Sequence, residues 1–482
     1  PSTTEGGELS FKVDLSNTSL TETPLTLKLT DGSGTVGQDT GTPVSVSFDG
    51  GDNFTTVTVN PDGTINLVVP ANTSSVTVKV PTTNDTISEG PETIQLTAGT
   101  SANGTTPQEG TGTIVDNDGA PQLSIEGPAT VNEATGTVTY TVKLSNPSAT
   151  SVTVSYATEN AGATAGSDYT QASGSLTFAP GELSKTITVN VLDDTVFEGP
   201  EAFKVVLSGA TGAAIAVSEA TTTIQDNGTG TTPPGVTPTD DTPKLSIEGP
   251  ATVNEATGTV TYTVKLSNPS ATSVTVSYAT ENAGATAGSD YTQASGSLTF
   301  APGELSKTIT VNVLDDTVFE GPEAFKVVLS GASGASLAIA EATTTIQDNG
   351  TGTTPPGVTP TDDTPKVTGV SSPSTTEGGE LSFKVDLSNT SLTETPLTLK
   401  LSDGSGTIAG DTTGPVSVSF DGGTSFATVT VNPDGTINLV VPANTSSVTL
   451  KVPTTNDTIS EGAETIQLTA GTPANGATPE EG

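Results

Sequence analysis

The sequence predicts an all-β protein built as four tandem antiparallel β-sandwich modules with Greek-key connections, set in an elongated array. Three observations carry that reading. Residues 122–243 and 244–365 are nearly the same sequence written twice: Leu123-Ser-Ile-Glu-Gly-Pro128 returns as Leu245-Ser-Ile-Glu-Gly-Pro250. Val191-Leu-Asp-Asp-Thr-Val-Phe-Glu-Gly-Pro-Glu201 likewise returns as Val313 to Glu323. A second matched pair brackets the first, because Pro1-Ser-Thr-Thr-Glu-Gly-Gly-Glu-Leu-Ser-Phe11 recurs from Pro373. Within each copy, apolar and polar residues alternate in short runs bounded by Gly, Pro, Asn and Asp, the period of half-buried strands rather than helices. Self-similarity at a fixed period marks an array, and arrays more often supply length, stiffness or many weak contacts than a single active site.

The expected division places sandwiches at 1–119, 120–228, 244–350 and 366–482, with Thr/Pro/Gly linkers at 229–243 and 351–365. Module two is the clearest. Val138, Tyr140, Val142 and Leu144 alternate with polar residues, as do Val152, Val154 and Tyr156. Leu176 with Phe178 follows, then Ile187, Val189 and Val191, then Phe203, Val205 and Leu207, and a last strand near Ile224. Turn signals separate them at Asn146-Pro147, Gly166-Ser-Asp168, Ala179-Pro-Gly181 and Gly199-Pro200, so about seven strands are expected per sandwich. Modules one and four follow the same plan through Leu9, Phe11, Val13 and Leu15, then Val76, Val78 and Val80, then Ile94 and Leu96. They add a segment, Val44-Ser-Val-Ser-Phe-Asp-Gly-Gly51, that the inner modules lack.

The joints read differently from one another. Only Asp118-Gly-Ala-Pro-Gln122 separates modules one and two, which predicts a stiff joint. The Pro- and Gly-containing runs from Asn227 and Asn349 predict semi-extended spacers with hinges. The lead-in Lys366-Val-Thr-Gly-Val370 has no counterpart before Pro1. Gly482 matches Gly110, yet the first repeat continues through Thr111 to Asp118. The expectation is a piece of a longer array, with module one short of its lead-in and module four of its last strand.

Composition excludes several functions. The 482 residues contain no Cys, Met, Trp or His, and 54 acidic residues against 14 basic ones give a net charge of −40. Such a chain repels nucleic acids and anionic lipid. No run is long and apolar enough to insert into a membrane. Without His or Cys the usual triads, dyads and zinc sites have no material. The adjacent pair Asp193-Asp194 points to opposite faces of a strand, so the sequence predicts no enzyme.

The acidic residues recur at apparent strand ends. In module two they are Glu133, Asp168, Asp193, Asp194, Glu198, Glu201 and Asp226. Module three repeats them as Glu255, Asp290, Asp315, Asp316, Glu320, Glu323 and Asp348. Module one offers Glu5, Asp39, Asp85, Glu89, Glu92, Asp116 and Asp118, and module four Glu377, Asp411, Asp457, Glu461 and Glu464. Loops at one end of a sandwich lie close in space, and carboxylates gathered there repel one another unless a hard cation sits among them. Calcium suits such a set, since it takes six to eight oxygen ligands in flexible geometry, whereas Mg²⁺ demands a near-octahedral shell.

These motifs resemble the Calx-β domain. Gly166-Ser-Asp-Tyr169, Gly174-Ser-Leu-Thr-Phe178, Lys185-Thr-Ile-Thr-Val189, Asp193-Asp-Thr-Val-Phe-Glu-Gly-Pro-Glu201 and Thr223-Ile-Gln-Asp-Asn227 carry the likeness in modules two and three. Asn84-Asp-Thr-Ile-Ser-Glu-Gly-Pro-Glu92 and Thr113-Ile-Val-Asp-Asn-Asp118 carry it in module one. The resemblance implies seven-stranded, immunoglobulin-like sandwiches that bind a calcium cluster at their acidic ends. It points to Glu133, Asp168, Asp193, Asp194, Glu198 and Asp226 as ligands, with their counterparts Glu255, Asp290, Asp315, Asp316, Glu320 and Asp348. In the outer modules the counterparts are Glu5, Asp39, Asp85, Glu89, Asp116 and Asp118, then Glu377, Asp411, Asp457 and Glu461. Two departures predict fewer or weaker ions: Asn227-Gly228 follows Asp226 where the Calx-β pattern of sodium–calcium exchangers runs on in Asp, and Asn84 and Asn456 replace the first acid of the pair.

Tandem, Thr-rich, Cys-free modules of this kind resemble the extender region of large bacterial RTX adhesins exported by type I secretion. That likeness implies a secreted, calcium-stiffened stalk on a bacterial cell surface, serving adhesion and biofilm formation. Its partners would be calcium ions and neighbouring modules, with the adhesive target gripped by other domains. The alternative is a calcium-dependent module that itself binds a glycan or another surface.

Overall fold

The computed structural model describes residues 1–482 except 104, 406, 407, 459 and 461. The chain forms two compact units, Pro1–Asp194 with Gly199–Asp240 and Thr195–Glu198 with Asp241–Gly482. The first unit holds two apolar cores, one running from Leu9 to Ile114 and one from Leu123 to Ile224. The second holds another two, from Leu245 to Ile346 and from Val367 to Ala470. Each core lies between two sheets, so the all-β sandwich class read from the alternating runs is the fold observed.

The third sandwich serves for both inner ones, whose strands match position by position except that Ser336–Ile339 is two residues longer than its counterpart Ala214–Ile215. One sheet orders Thr252–Asn254, Glu341–Gln347, Glu323–Ser333, Val274–Asn282 and Ser295–Phe300; the other orders Ser306–Asn312, Thr259–Leu266, Lys244–Glu248 and Ser336–Ile339. Val260, Tyr262 and Val264 face inward and Thr259, Thr261 and Lys265 face out, the alternation the sequence displays. Strand-forming β-branched residues thus bury one face and solvate the other.

Nine strands appear instead of about seven, and two pairs are parallel. The opening strand is cut by Gly249-Pro250. Its first half, Lys244–Glu248, runs antiparallel to Thr259–Leu266. Its second half, Thr252–Asn254, crosses to the other sheet and lies parallel to Glu341–Gln347. Proline has no N–H to donate to a ladder, which ends the first pairing there. Glycine precedes it because a Cβ at Gly249 would lie 2.3 Å from Tyr262 Cδ1. Buried hydrogen bonds span the crossing: the Tyr262 hydroxyl and Thr344 Oγ1 are 2.5 Å apart, and Thr344 Oγ1 donates to the Pro250 carbonyl at 2.7 Å. Tyr291 stacks on Phe325 with centroids 4.5 Å apart, filling the core below the acidic end.

In module one the added segment supplies a strand, Val44–Ser47, paired between Ser75–Pro81 and Thr55–Val57, followed by a loop closed on Asp49. Ser47 Oγ and Asn53 Nδ2 both donate to Asp49 and hold its carboxyl well below the usual range.

The segment expected to be a free spacer after module three is bonded to that module instead. Asn254 N donates to Thr353 O at 3.1 Å, and Thr353 Oγ1 donates to Thr252 O at 2.8 Å. Asn349 bridges Asp362, so the segment leaves the last strand and returns to it. Gly352 permits this, with φ at +92° and space for no Cβ against Val253. The joints inside each unit are built alike. Ser88 pairs in parallel with Ser148, and Phe319 with Ser391; Phe319 N donates to Thr390 O at 3.1 Å and Leu392 N to Phe319 O at 2.8 Å. Among the described residues no helix is long and apolar enough to cross a membrane.

Candidate metal centre

Each acidic side chain of module three is held by a local device. Asn254, fully buried, accepts from Ala256 N at 3.1 Å and donates to the carbonyls of Gln347, Thr351 and Thr361. That fixes the one-turn helix Glu255–Thr257 and aims Glu255 into the sandwich end. Asp290 closes a turn through its own N–H to Thr286 O, and Thr286 N donates back to Asp290 Oδ2 at 2.5 Å. Its carbonyl accepts Leu314 N at 2.9 Å, which sets Asp315 and Asp316 beside it. Asp316 Oδ1 accepts Val318 N at 2.7 Å, and Asp348 Oδ2 accepts Glu320 N at 2.6 Å and Gly321 N at 3.2 Å. Loops from five parts of the sequence thereby converge on one end of the sandwich.

The result is a cleft lined by Glu255, Asp290, Asp316, Glu320, Glu323 and Asp348. Asp290, Glu320 and Glu323 each offer a carboxylate oxygen within 4.8 Å of the others. Burial, then Asp363, Asp348 and Asp315, push the Glu255 carboxyl up to about 9. Burial, then Asp290, Glu323 and Asp316, push Glu320 up to about 8. Both shifts have the sign of crowded, desolvated like charges. Asp348 is 3% exposed, and its Oδ1 is buried without a hydrogen-bond partner.

Module one repeats the arrangement as two groups. Glu5, Asp85 and Asp118 form one, and Asp39, Glu89 and Glu92 the other, each with oxygens within 4.8 Å. Asp116 stands between them, accepting Glu89 N at 2.8 Å and Asp118 N at 2.7 Å. Glu5 Oε2 and Asp118 Oδ2 are buried without partners. Burial, then Asp39 and Glu89, push Glu92 up to about 7. In module two, Asp168 and Asp226 face Glu201 and, after burial, raise its pKa. Glu133 is buried, and Thr239 Oγ1 donates to it and to Asp193 at 3.2 Å each. Asp194 follows Asp193 in the same unit, whereas Glu198 falls with the second unit.

Module four differs. Among the described residues none of its acids joins a group of three. Glu377 and Asp457 are exposed, Asp411 accepts Thr455 N at its carbonyl, and Glu461 lies outside the described residues. Sequence reasoning left Glu92, Glu201 and Glu323 out of the ligand set, although their recurrence at one register was the available signal. It missed Asp363 altogether, read as part of a spacer. The Thr-Asp-Asp-Thr-Pro run that ends both copies of that segment was the clue.

The donors fit a hard divalent cation of calcium's size. They are all oxygens, several are buried and unpartnered, and their mutual repulsion is otherwise unrelieved. A soft metal would call for His or Cys, which the chain lacks.

The Calx-beta domain model matches residues 116–228 and 239–350, two such domains in tandem. Extracellular matrix protein 3 of Lytechinus variegatus is 37% identical over 210 residues, covering 41% of this chain and 6% of that protein. Sodium/calcium exchanger 1 of Bos taurus is 30% identical over 223 residues, 44% of this chain and 23% of the exchanger. Adhesion G-protein coupled receptor V1 of Danio rerio is 32% identical over 206 residues, 39% of this chain and 3% of the receptor. Among solved structures, CBD12 from CALX1.2 is 23% identical, covering 47% of this chain and 99% of that chain, with a TM-score of 0.23. The apo-form Calx CBD1 domain is 29% identical, covering 22% and 97%, with a TM-score of 0.21. The chain spans less than a quarter of the length of each of these three relatives.

Proposed function

We propose that this chain is a calcium-binding, non-catalytic extender of a large bacterial surface adhesin, projecting an adhesive domain outward in cell adhesion and biofilm formation. One observation carries the calcium part. Buried carboxylate oxygens without hydrogen-bond partners recur at the acidic ends of the first and third sandwiches, at Glu5, Asp118 and Asp348. The matched exchangers bear calcium in their names, the matched matrix protein bears an extracellular place and the matched receptor bears adhesion, and these support the reading. On this proposal all four modules are Calx-β sandwiches divided as the repeats suggest. Glu255, Asp290, Asp315, Asp316, Glu320 and Asp348, with their counterparts, hold the ions together with Glu323, which the fold brings into the same group.

Calcium binds the folded modules and scarcely the unfolded chain, so it stabilises folding by about 2.7 kcal/mol per site at a hundredfold excess over Kd. A chain of this kind is less stable where calcium is scarce and gains that stability after export. The alternative of a glycan binder is weaker, because Tyr140, Tyr169, Tyr262 and Tyr291 are buried in cores and offer no exposed aromatic platform. Calorimetric melting in millimolar calcium and in chelator tests the proposal. Midpoints raised by calcium support it, and identical midpoints dispose of it. Small-angle scattering under the same two conditions reports whether calcium also extends and stiffens the chain.

A further inference from the structure

Module one closes its acidic end with Asp116 and Asp118, the second of which sits in a carboxylate group with Glu5 and Asp85. In module three the equivalent positions are Asp348 and Gly350, so the second carboxylate is missing from the strand end. The segment that follows brings one back. Asp363 N donates to Asp348 O at 2.8 Å, and the Asp363 carboxylate lies within hydrogen-bonding reach of Glu255, as Asp118 lies beside Glu5. Asp363 Oδ2 is buried without a partner, as is Asp118 Oδ2. Asp348, 3% exposed, leaves Oδ1 unpartnered beside it. Thr361 Oγ1 donates to Asp315 Oδ1 at 3.2 Å and to Glu255 Oε1 at 3.5 Å, tying the returning segment to the same cluster.

We propose that Asp363 is a cation ligand, and that residues 349–362 are an insertion within the module-three site rather than a spacer after it. The inference rests on the calcium reading above and names a ligand that reading lacks. It carries a consequence for the joint. Asn389 Nδ2 of module four donates to the Asp363 carbonyl, and in the first unit Asn146 Nδ2 of module two donates to the Gly119 carbonyl, one residue past Asp118, at 2.9 Å. A cation held by Asp363 therefore also anchors the residue that the following module grips.

The test uses the full chain and calcium alone. Equilibrium dialysis counts bound ions in the wild type and in Asp118→Asn, Asp363→Asn and Asp362→Asn, the last altering an exposed neighbour that pairs with Lys366. Hydrogen exchange over 349–365 and over 113–118 gives the local readout, and exchange over Glu323–Ser333 without calcium verifies folding. The expected result is that Asp363→Asn weakens one site by roughly tenfold or more and abolishes calcium protection of 349–365 while that of 113–118 persists. Asp118→Asn does the reverse, and Asp362→Asn behaves as wild type. If the wild type binds calcium and Asp363→Asn keeps both its ion count and its protection of 349–365, this inference is overturned while the calcium reading stands. If the wild type retains no calcium, both fall together.

Discussion

At the scale of single residues, Asp348 is the sharpest probe because its effect should change sign with the ion. Burial, the first cause, raises its pKa, and the nearby Asp363 adds to that, so without metal its charge works against folding. Asp348→Asn keeps an acceptor for Glu320 N and Gly321 N and removes the charge. In chelator at neutral pH it should stabilise the chain. In millimolar calcium it should destabilise it, because a ligand is gone. Chemical denaturation under the two conditions measures both, and an effect of one sign throughout would mean no ion binds there. Gly249 tests packing rather than charge. With Tyr262 Cδ1 at 2.3 Å from an added Cβ, Gly249→Ala should destabilise by about 1–3 kcal/mol, independent of calcium.

At the scale of elements, the strand Glu323–Ser333 joins core to site. Glu323 stands at its mouth in the carboxylate group and Phe325, fully buried, stacks on Tyr291. Phe325→Ala should lower stability by about 3–5 kcal/mol and weaken calcium binding as well, since Glu323 loses its footing. Phe325→Leu should retain most of both, as read by melting and calcium titration. The strands of the inner sandwiches were legible because Val, Ile, Thr and Tyr alternate without interruption. The split opening strand was not legible. Gly249-Pro250 looks like an ordinary turn signal, and only the sheet pairing reveals that the chain crosses between layers there.

At the scale of the whole molecule, charge governs how stability depends on pH. Without metal, Glu255, Glu320 and Glu92 sit near 9, 8 and 7 against an ordinary 4.5. Between 4.5 and about 9 the folded chain therefore holds more protons than the unfolded one. Stability must then fall as pH rises through that window. The metal-free chain should melt highest near pH 5 and progressively lower towards pH 9. Calcium, which takes the deprotonated carboxylates, should flatten or reverse that slope. Calorimetry across pH in chelator and in calcium measures it, and a metal-free midpoint rising with pH would contradict the crowded-carboxylate account.

The sandwich class, the repeats and most of the acids can be read along the chain, because strand periodicity and internal copying are written in the order of its residues. Which acids face one another was decided only by the tertiary structure, because the groups meet through loops distant along the chain. Glu255 and Asp363 are the plainest instance: no spacing rule links them, and a run of Thr, Pro and Gly between Asp348 and Asp363 reads as a spacer. Its return to the sandwich depends on the buried Asn254 gathering the carbonyls of Thr351 and Thr361, a contact between segments far apart in sequence.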